Sequence, residues 1–180
     1  MPRAGRKLVR NPPPVLTLSV QYAIAKDSLP SRQRLRSWAK AALLTDAQIT
    51  LRLVGGREGR ALNRDFRGKD YATNVLTFAY PDIEPLSGDI VLCAPMIAKE
   101  ARAQHKPIEA HYAHLVVHGM LHLQGYDHEN NNDARAMETQ EAEIVVKLGY
   151  ADPYKTEVNG KWKTNRTNHH YHCSNGLARC

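Results

Sequence analysis

The chain has 180 residues, a length typical of a single domain. Hydrophobic residues make up 42% and charged residues 24%, which are the proportions of a globular protein. No stretch approaches the roughly 18 apolar residues of a membrane span, and the basic N-terminus lacks the apolar segment of a secretory signal. Three scattered cysteines are too few for a disulfide framework, so we expect a soluble protein of a reducing compartment.

The net charge of +7 is unevenly distributed along the chain. Residues 11–69 contain eleven Lys and Arg against four Asp and Glu, whereas residues 70–152 contain five against thirteen. A basic half of this kind is typical of a phosphate-binding surface, although solvated helix faces would give the same count. Any nucleic-acid contact is therefore expected on the first half of the folded body.

Hydrophobic periodicity predicts strands and helices from residue 15 onward. Strands are predicted over residues 15–22, 48–54, 74–80 and 89–93. Helices are predicted after a cap at Ser31 and over residues 57–66, 95–104, 108–123 and 133–148. In the helix over residues 57–66, Leu62 and Phe66 are predicted to point inward. Strands come mostly first and helices last, which predicts an α+β fold with a small mixed β-sheet packed against several helices.

Composition divides the chain into three parts. Residues 1–14 form a basic, Pro-rich extension, and residues 15–154 hold all the predicted strands and helices. Residues 155–180 are rich in Asn, Lys, His and Thr without a hydrophobic period, so we expect a disordered tail. Its histidine-rich run at residues 169–173 could bind metal adventitiously, but a flexible segment is the expected state.

Three histidines around the end of the predicted 108–123 helix have the spacing of a metal site. His118 and His122 are four residues apart, so their Cβ atoms are expected about 5–6 Å apart on one helix face. Gly125 can adopt positive φ and turn the chain back, which returns His128 toward the first two. Two histidines alone at this spacing are more typical of a buried helix face, but the third histidine favours a metal site.

Three imidazoles with a fourth position open for water are typical of a catalytic zinc site, here at the end of a central helix. The same ligands also suit Ni²⁺, Co²⁺ or Cu²⁺. His111 and His114 lie on the same helical stripe, and we expect them to support the site rather than to ligate the metal.

The histidine spacing also matches the metalloprotease pattern H-E-x-x-H-x-x-G-x-x-H. Those proteases use the Glu after the first His as the general base, whereas this chain has Gly119 at that position. Because glycine has no proton acceptor in a side chain, the sequence disfavours a zinc metallopeptidase-like hydrolase.

Five segments together resemble the YbeY family of bacterial metallo-endoribonucleases: HGMLHLQGYDH at residues 118–128, RGKD at residues 67–70, TNVLTF at residues 73–78, SGDI at residues 87–90 and LGY at residues 148–150. The resemblance spans residues 15–154. It implies an α+β fold and one zinc ion per chain, bound by His118, His122 and His128. It also implies a functional arginine in the RGKD segment, which falls on Arg67.

The resemblance further implies a single-strand-specific endoribonuclease. Its members act in 16S ribosomal RNA 3′-end maturation and in late-stage ribosome quality control, in the cytoplasm. The expected partners are single-stranded RNA, ribosomal RNA and the ribosome, a small-subunit ribosomal protein and the assembly GTPase Era, with no membrane contact.

Arg67 suits phosphodiester cleavage because its guanidinium is a planar, permanently charged fork for nonbridging oxygens. Its neighbours Lys69 and Asp70 are also typical of a solvated turn, in which the arginine would be only structural. Asp127 could orient His128, and the general base and the nucleophile, water or a 2′-hydroxyl, stay open.

A non-catalytic ribosome-assembly protein with a structural metal is a further alternative. Structural zinc sites are usually closed by four protein ligands, and the sequence offers no matching fourth ligand. Cys93 is far from the histidine run. The endoribonuclease is therefore the leading interpretation.

Overall fold

The computed structural model of the protein describes residues 12–126, 131–158, 161–164 and 178–179. Within these residues, a mixed β-sheet and five helices form the body, which confirms the predicted α+β fold. The main strands are β1 (Leu16–Tyr22), β2 (Ala47–Val54), β3 (Val75–Tyr80) and β4 (Leu86–Cys93). The helices are α1 (Arg32–Ala41), α2 (Gly56–Arg67), α3 (Ala94–Ala103), α4 (Ile108–Leu123) and α5 (Asn131–Lys147). None of these described helices combines the length and apolar character that a bilayer crossing requires.

The main strands lie in the order β1-β2-β4-β3. β1, β2 and β4 run parallel, and β3 is antiparallel to β4. Leu51 lies opposite Val20 on one side and Ile90 on the other, and all three are buried. A continuous apolar row therefore crosses the centre of the sheet.

Helices pack on both faces of this sheet. α1, α4 and α5 share one hydrophobic cluster with the sheet, whose members include Leu35, Ile90 and Leu115. On the other face, Leu62 of α2 packs on a smaller cluster that includes Val91. Because Ile90 and Val91 are neighbours in β4, they point to opposite faces, so α4 and α2 lie on opposite sides of the sheet.

α4 is the central helix, and every residue from His111 to Leu123 is buried. Two glycines let it lie close to the sheet. A Cβ at Gly119 would be 2.9 Å from Ile90 Cγ2, and one at Gly88 would be 2.7 Å from Leu123 Cδ2. A side chain at either position would push α4 away from β4. Gly119, where the metalloproteases carry their general base, therefore has a packing role in this fold.

The helix ends follow local signals. Ser31 Oγ accepts a hydrogen bond from the Arg34 N–H at 3.3 Å and caps α1, as predicted. α2 continues beyond its predicted end to Arg67 and stops at Gly68, whose φ of 67° lies in the left-handed region. The predicted helix over residues 108–123 is α4 without change.

The prediction that Phe66 points inward is wrong, because its side chain is 61% exposed. The buried residues of α2 are Gly59 and Asn63, and the next position on that stripe, four residues on, is Arg67. Phe66 lies beside the stripe. Its ring meets that of Phe78 in β3 edge to face, with centroids 5.1 Å apart.

The polar tail departs in part from the prediction of a disordered segment. β5 (Lys155–Val158) and β6 (Lys161–Thr164) pair antiparallel, and β7 (Ala178–Arg179) pairs with β3. The histidine-rich run at residues 169–173 and most of the N-terminal extension lie outside the described residues.

Candidate metal centre

His118 and His122 lie on consecutive turns of α4 with their imidazole rings side by side. The ring centroids are 4.5 Å apart, and the ring planes are inclined at 83°. Both side chains are buried. Two imidazoles on one helix face at this separation can bind the same metal ion.

An oxygen acceptor within hydrogen-bond distance fixes each of these rings. Nδ1 of His118 lies 2.7 Å from Glu141 Oε1, and Nδ1 of His122 lies 2.9 Å from the carbonyl oxygen of Tyr126. Both oxygens accept hydrogen bonds, so Nδ1 carries the proton in each neutral ring. Each imidazole then offers the lone pair of Nε2 as its metal-binding atom.

Glu141 of α5 is a fully buried carboxylate that two histidines share. Besides His118, it contacts His114 Nε2 at 2.9 Å, and the Tyr154 hydroxyl donates a hydrogen bond to it. Burial raises the pKa of this carboxyl, but His118 and His114 hold the pKa well below its ordinary value. The ionised carboxylate therefore ties α4, α5 and the segment after α5 together behind the paired imidazoles.

A second carboxylate holds His111. Its Nε2 lies 2.9 Å from Glu100 Oε2 in α3, and Asn74 Nδ2 donates to the same oxygen at 2.9 Å. His111 and His114 thus both have carboxylate partners on neighbouring helices. Such contacts are typical of histidines that support a metal site, and this role stays a prediction.

Sequence reasoning missed Glu141, which lies 23 residues after His118. Its signal in the sequence is its position in α5. Met137, Ile144 and Val145 are buried with it, so a glutamate stands within an otherwise apolar helical stripe. A carboxylate in such a stripe requires buried partners, but the sequence does not reveal which residues they are.

The third predicted ligand, His128, and its neighbour Asp127 lie outside the described residues. In the ranges that the structure describes, no group of three His, Cys, Asp or Glu side chains is arranged to hold a metal. The described site is therefore the oriented pair of His118 and His122. Two buried imidazole nitrogens fit a divalent transition metal that takes its remaining ligands from other groups.

Arg67 is the last residue of α2, half-buried, rather than part of the predicted turn. Gly68 ends the helix and donates its N–H to the Arg64 carbonyl oxygen at 2.9 Å. Beyond it, Asp70 accepts two hydrogen bonds from Arg60, at 2.7 and 2.6 Å, and these lower the pKa of Asp70. Because α2 and α4 lie on opposite faces of the sheet, the partnership of Arg67 with the histidines stays a prediction.

Comparison with known proteins assigns a family to this arrangement. The sequence model of the family described as Endoribonuclease YbeY matches residues 23–149. The chain belongs to the YbeY family. The matched region contains α1 to α5 and all four predicted site residues, including Arg67 and His128.

Several relatives named Endoribonuclease YbeY are similar over most of the chain. One from Aromatoleum aromaticum is 58% identical over 142 residues, which cover 77% of this chain and 92% of the relative. One from Nitrosomonas europaea is 53% identical over 160 residues, which cover 86% of this chain and 98% of the relative. A third, from Azoarcus sp., is 58% identical over 152 residues, which cover 78% of this chain but 60% of the relative.

A solved structure has a similar fold. The solution structure of TM1509 from Thermotoga maritima has a TM-score of 0.53 and 27% sequence identity. The match covers 73% of this chain and 89% of TM1509.

Proposed function

We propose that this YbeY-family chain is a metal-dependent endoribonuclease that cleaves single-stranded RNA. The observation that carries the proposal is the pair of His118 and His122, whose rings lie 4.5 Å apart with both Nδ1 atoms held by oxygen acceptors. Such a pair is built to present two nitrogens to one cation. The name of the relatives, Endoribonuclease YbeY, supplies the substrate class.

The proposed metal is zinc, one ion per chain, held by His118, His122 and His128. Neutral nitrogen ligands suit zinc, and three of them leave a position for the reaction. When bound, the ion supplies Lewis-acid chemistry near neutral pH. Glu141 and the Tyr126 carbonyl keep the imidazoles of His118 and His122 in their tautomers and orientations, so these two ligands are in place before the metal binds.

Arg67 is the second proposed functional residue. Its guanidinium stays charged and can donate two parallel hydrogen bonds to the nonbridging oxygens of a phosphodiester. A fixed cation there stabilises the negative charge that those oxygens gather during cleavage. The exposed Arg57 and Arg64 on the same helix extend the positive charge along α2, where a phosphate backbone would approach.

The peptidase alternative is disfavoured by packing as well as by chemistry. At Gly119, a Cβ would already be 2.9 Å from Ile90 Cγ2, so this position has no room for the glutamate that such proteases need. The structural-metal alternative is separated from the endoribonuclease by the assay below.

The proposed cellular role follows from the family resemblance. It is 16S ribosomal RNA 3′-end maturation and late-stage ribosome quality control in the cytoplasm. The proposed partners are ribosomal RNA and the ribosome, a small-subunit ribosomal protein and the GTPase Era. Residues 15–154 would form the catalytic domain, between a basic extension and a polar tail.

The test is a parallel assay of the metal-loaded protein on labelled single-stranded RNA, duplex RNA, single-stranded DNA and a peptide pool. We expect cleavage of single-stranded RNA, weak cleavage of duplex RNA because its stiff A-form backbone bends poorly into a cleft, and no peptide cleavage. His122→Ala should abolish the activity and also controls for contaminating nuclease. RNA cleavage that survives His122→Ala would contradict the proposal, and peptide cleavage lost in that variant would favour the peptidase.

A further inference from the structure

An aromatic strip lies on the face of the sheet opposite α4. It consists of Phe66 at the end of α2 and of Phe78 and Tyr80 in β3. We propose that this strip is a base-stacking site for single-stranded RNA, an inference that rests on the proposed function and adds a second contact region to it.

All three rings are at least partly accessible to solvent. Phe66 and Tyr80 are 61% and 41% exposed, and Phe78 is half-buried. The Phe66 and Phe78 rings meet edge to face with centroids 5.1 Å apart. Phe78 and Tyr80 are two residues apart in β3, so their side chains stand on the same face about 7 Å apart.

Neighbouring contacts hold the strip in place. The Tyr80 hydroxyl donates a hydrogen bond to Asp89 Oδ2 of β4 at 2.6 Å. Phe78 packs on the buried cluster that contains Leu76 and Val91. Rings that are fixed before binding lose little conformational entropy when a base stacks on them, so this surface suits stacking.

The charge at the α2 end of the strip favours a nucleic acid over a protein partner. Arg67 directly follows Phe66, and its guanidinium is a permanent cation that can donate two hydrogen bonds to a phosphate. The centre of a protein interface, in contrast, is depleted of charge. A strand stacked on Phe66 would therefore pass the residue proposed to contact the scissile phosphate.

The other end of the strip limits the path of the backbone. Asp82 and Glu84 are exposed in the segment between β3 and β4, just beyond Tyr80. Carboxylates repel phosphates, so we expect the strand to approach from the side of α2. Stacking on an aromatic ring tolerates any base because every base has a π face, so the strip predicts affinity with little sequence preference.

The test measures binding of a labelled oligoadenylate by fluorescence anisotropy in the His122→Ala background, where the proposed function predicts no cleavage. Phe66→Leu and Tyr80→Leu should each raise Kd by roughly 5- to 150-fold, the scale of one lost base stack. Phe66→Tyr keeps the ring and should keep the affinity. The slope of affinity against salt should not change, since no phosphate contact is removed.

A matched control is Val146→Ala, which truncates another exposed apolar side chain on α5 and should leave Kd unchanged. In addition, Phe66→Trp should show tryptophan fluorescence quenching on RNA binding, after subtraction of the signal of the parent protein. Unchanged affinity in the two leucine variants would overturn the stacking site and favour a protein partner for the strip. If the otherwise wild-type protein cleaves RNA in that case, the proposed function stands; if it neither binds nor cleaves RNA, both proposals fail.

Discussion

Glu141 Oε1 lies 2.7 Å from His118 Nδ1, while Oε2 of the same carboxylate lies 2.9 Å from His114 Nε2. One buried side chain of α5 thus fixes two successive histidines of α4. The consequence is that the proposed metal-binding motif, contained in one short segment, depends on a residue of a separate helix.

We expect Glu141→Gln to weaken metal binding by about 10- to 100-fold, the usual effect of losing a partner behind a histidine ligand. An amide has one accepting oxygen, so it cannot accept hydrogen bonds from both histidines as the carboxylate does. Competition with a chromophoric zinc chelator measures the affinity. Glu143→Gln, in the same helix but exposed and 4.0 Å from Lys147, is the matched control. Equal affinity in the two variants would count against the role of Glu141.

We expect Gly119→Ala to destabilise the fold by about 1–3 kcal/mol, because its Cβ would meet Ile90 in a packed core. Ile90→Val in the same chain should recover part of the lost stability, because it removes the Ile90 δ-methyl group, which would contact the new Cβ. Denaturant unfolding measures both. Gly56→Ala, where nothing lies within 4 Å of the added Cβ, is the control and should not destabilise. A neutral Gly119→Ala would mean that α4 does not need this close approach.

The sequence was sufficient to predict those features that depend on residues close together in the chain. Hydrophobic period located the main strands and helices, and a spacing of four residues placed His118 and His122 on one face of α4. The sequence was insufficient to predict features that depend on contacts between residues far apart in the chain. The helical stripe of α2 passes through Asn63, which leaves Phe66 exposed, and Glu141 finds its histidines only when α5 packs on α4.

We expect Arg67→Ala to lower RNA cleavage by roughly 10²–10³-fold, the scale for one group that stabilises transition-state charge. Arg67→Lys should recover only part, because an ammonium cannot form the bidentate contact. Single-turnover cleavage rates measure the loss, while melting temperature and zinc content should match the parent. If Arg67→Ala unfolds or loses its metal, the arginine is structural.

We expect zinc occupancy to fall as the pH drops below about 6, because protons compete for the imidazole nitrogens that must be neutral to bind the ion. Dialysis at a series of pH values followed by elemental analysis measures the occupancy. Replacing His169, His170 and His172 by Ala in the same chain removes the histidines of the tail as a second source of binding. Constant occupancy between pH 7 and 5 would indicate ligands other than histidine.

The most direct test of the proposed metal centre is anomalous diffraction at the zinc edge from crystals of the zinc-loaded protein. We predict one strong peak per chain at about 2.0–2.1 Å from Nε2 of His118, from Nε2 of His122 and from an imidazole nitrogen of His128, with no protein atom at the fourth position. A peak that lies away from His118 and His122, or a fourth ligand from the protein that closes the site, would contradict the catalytic metal centre.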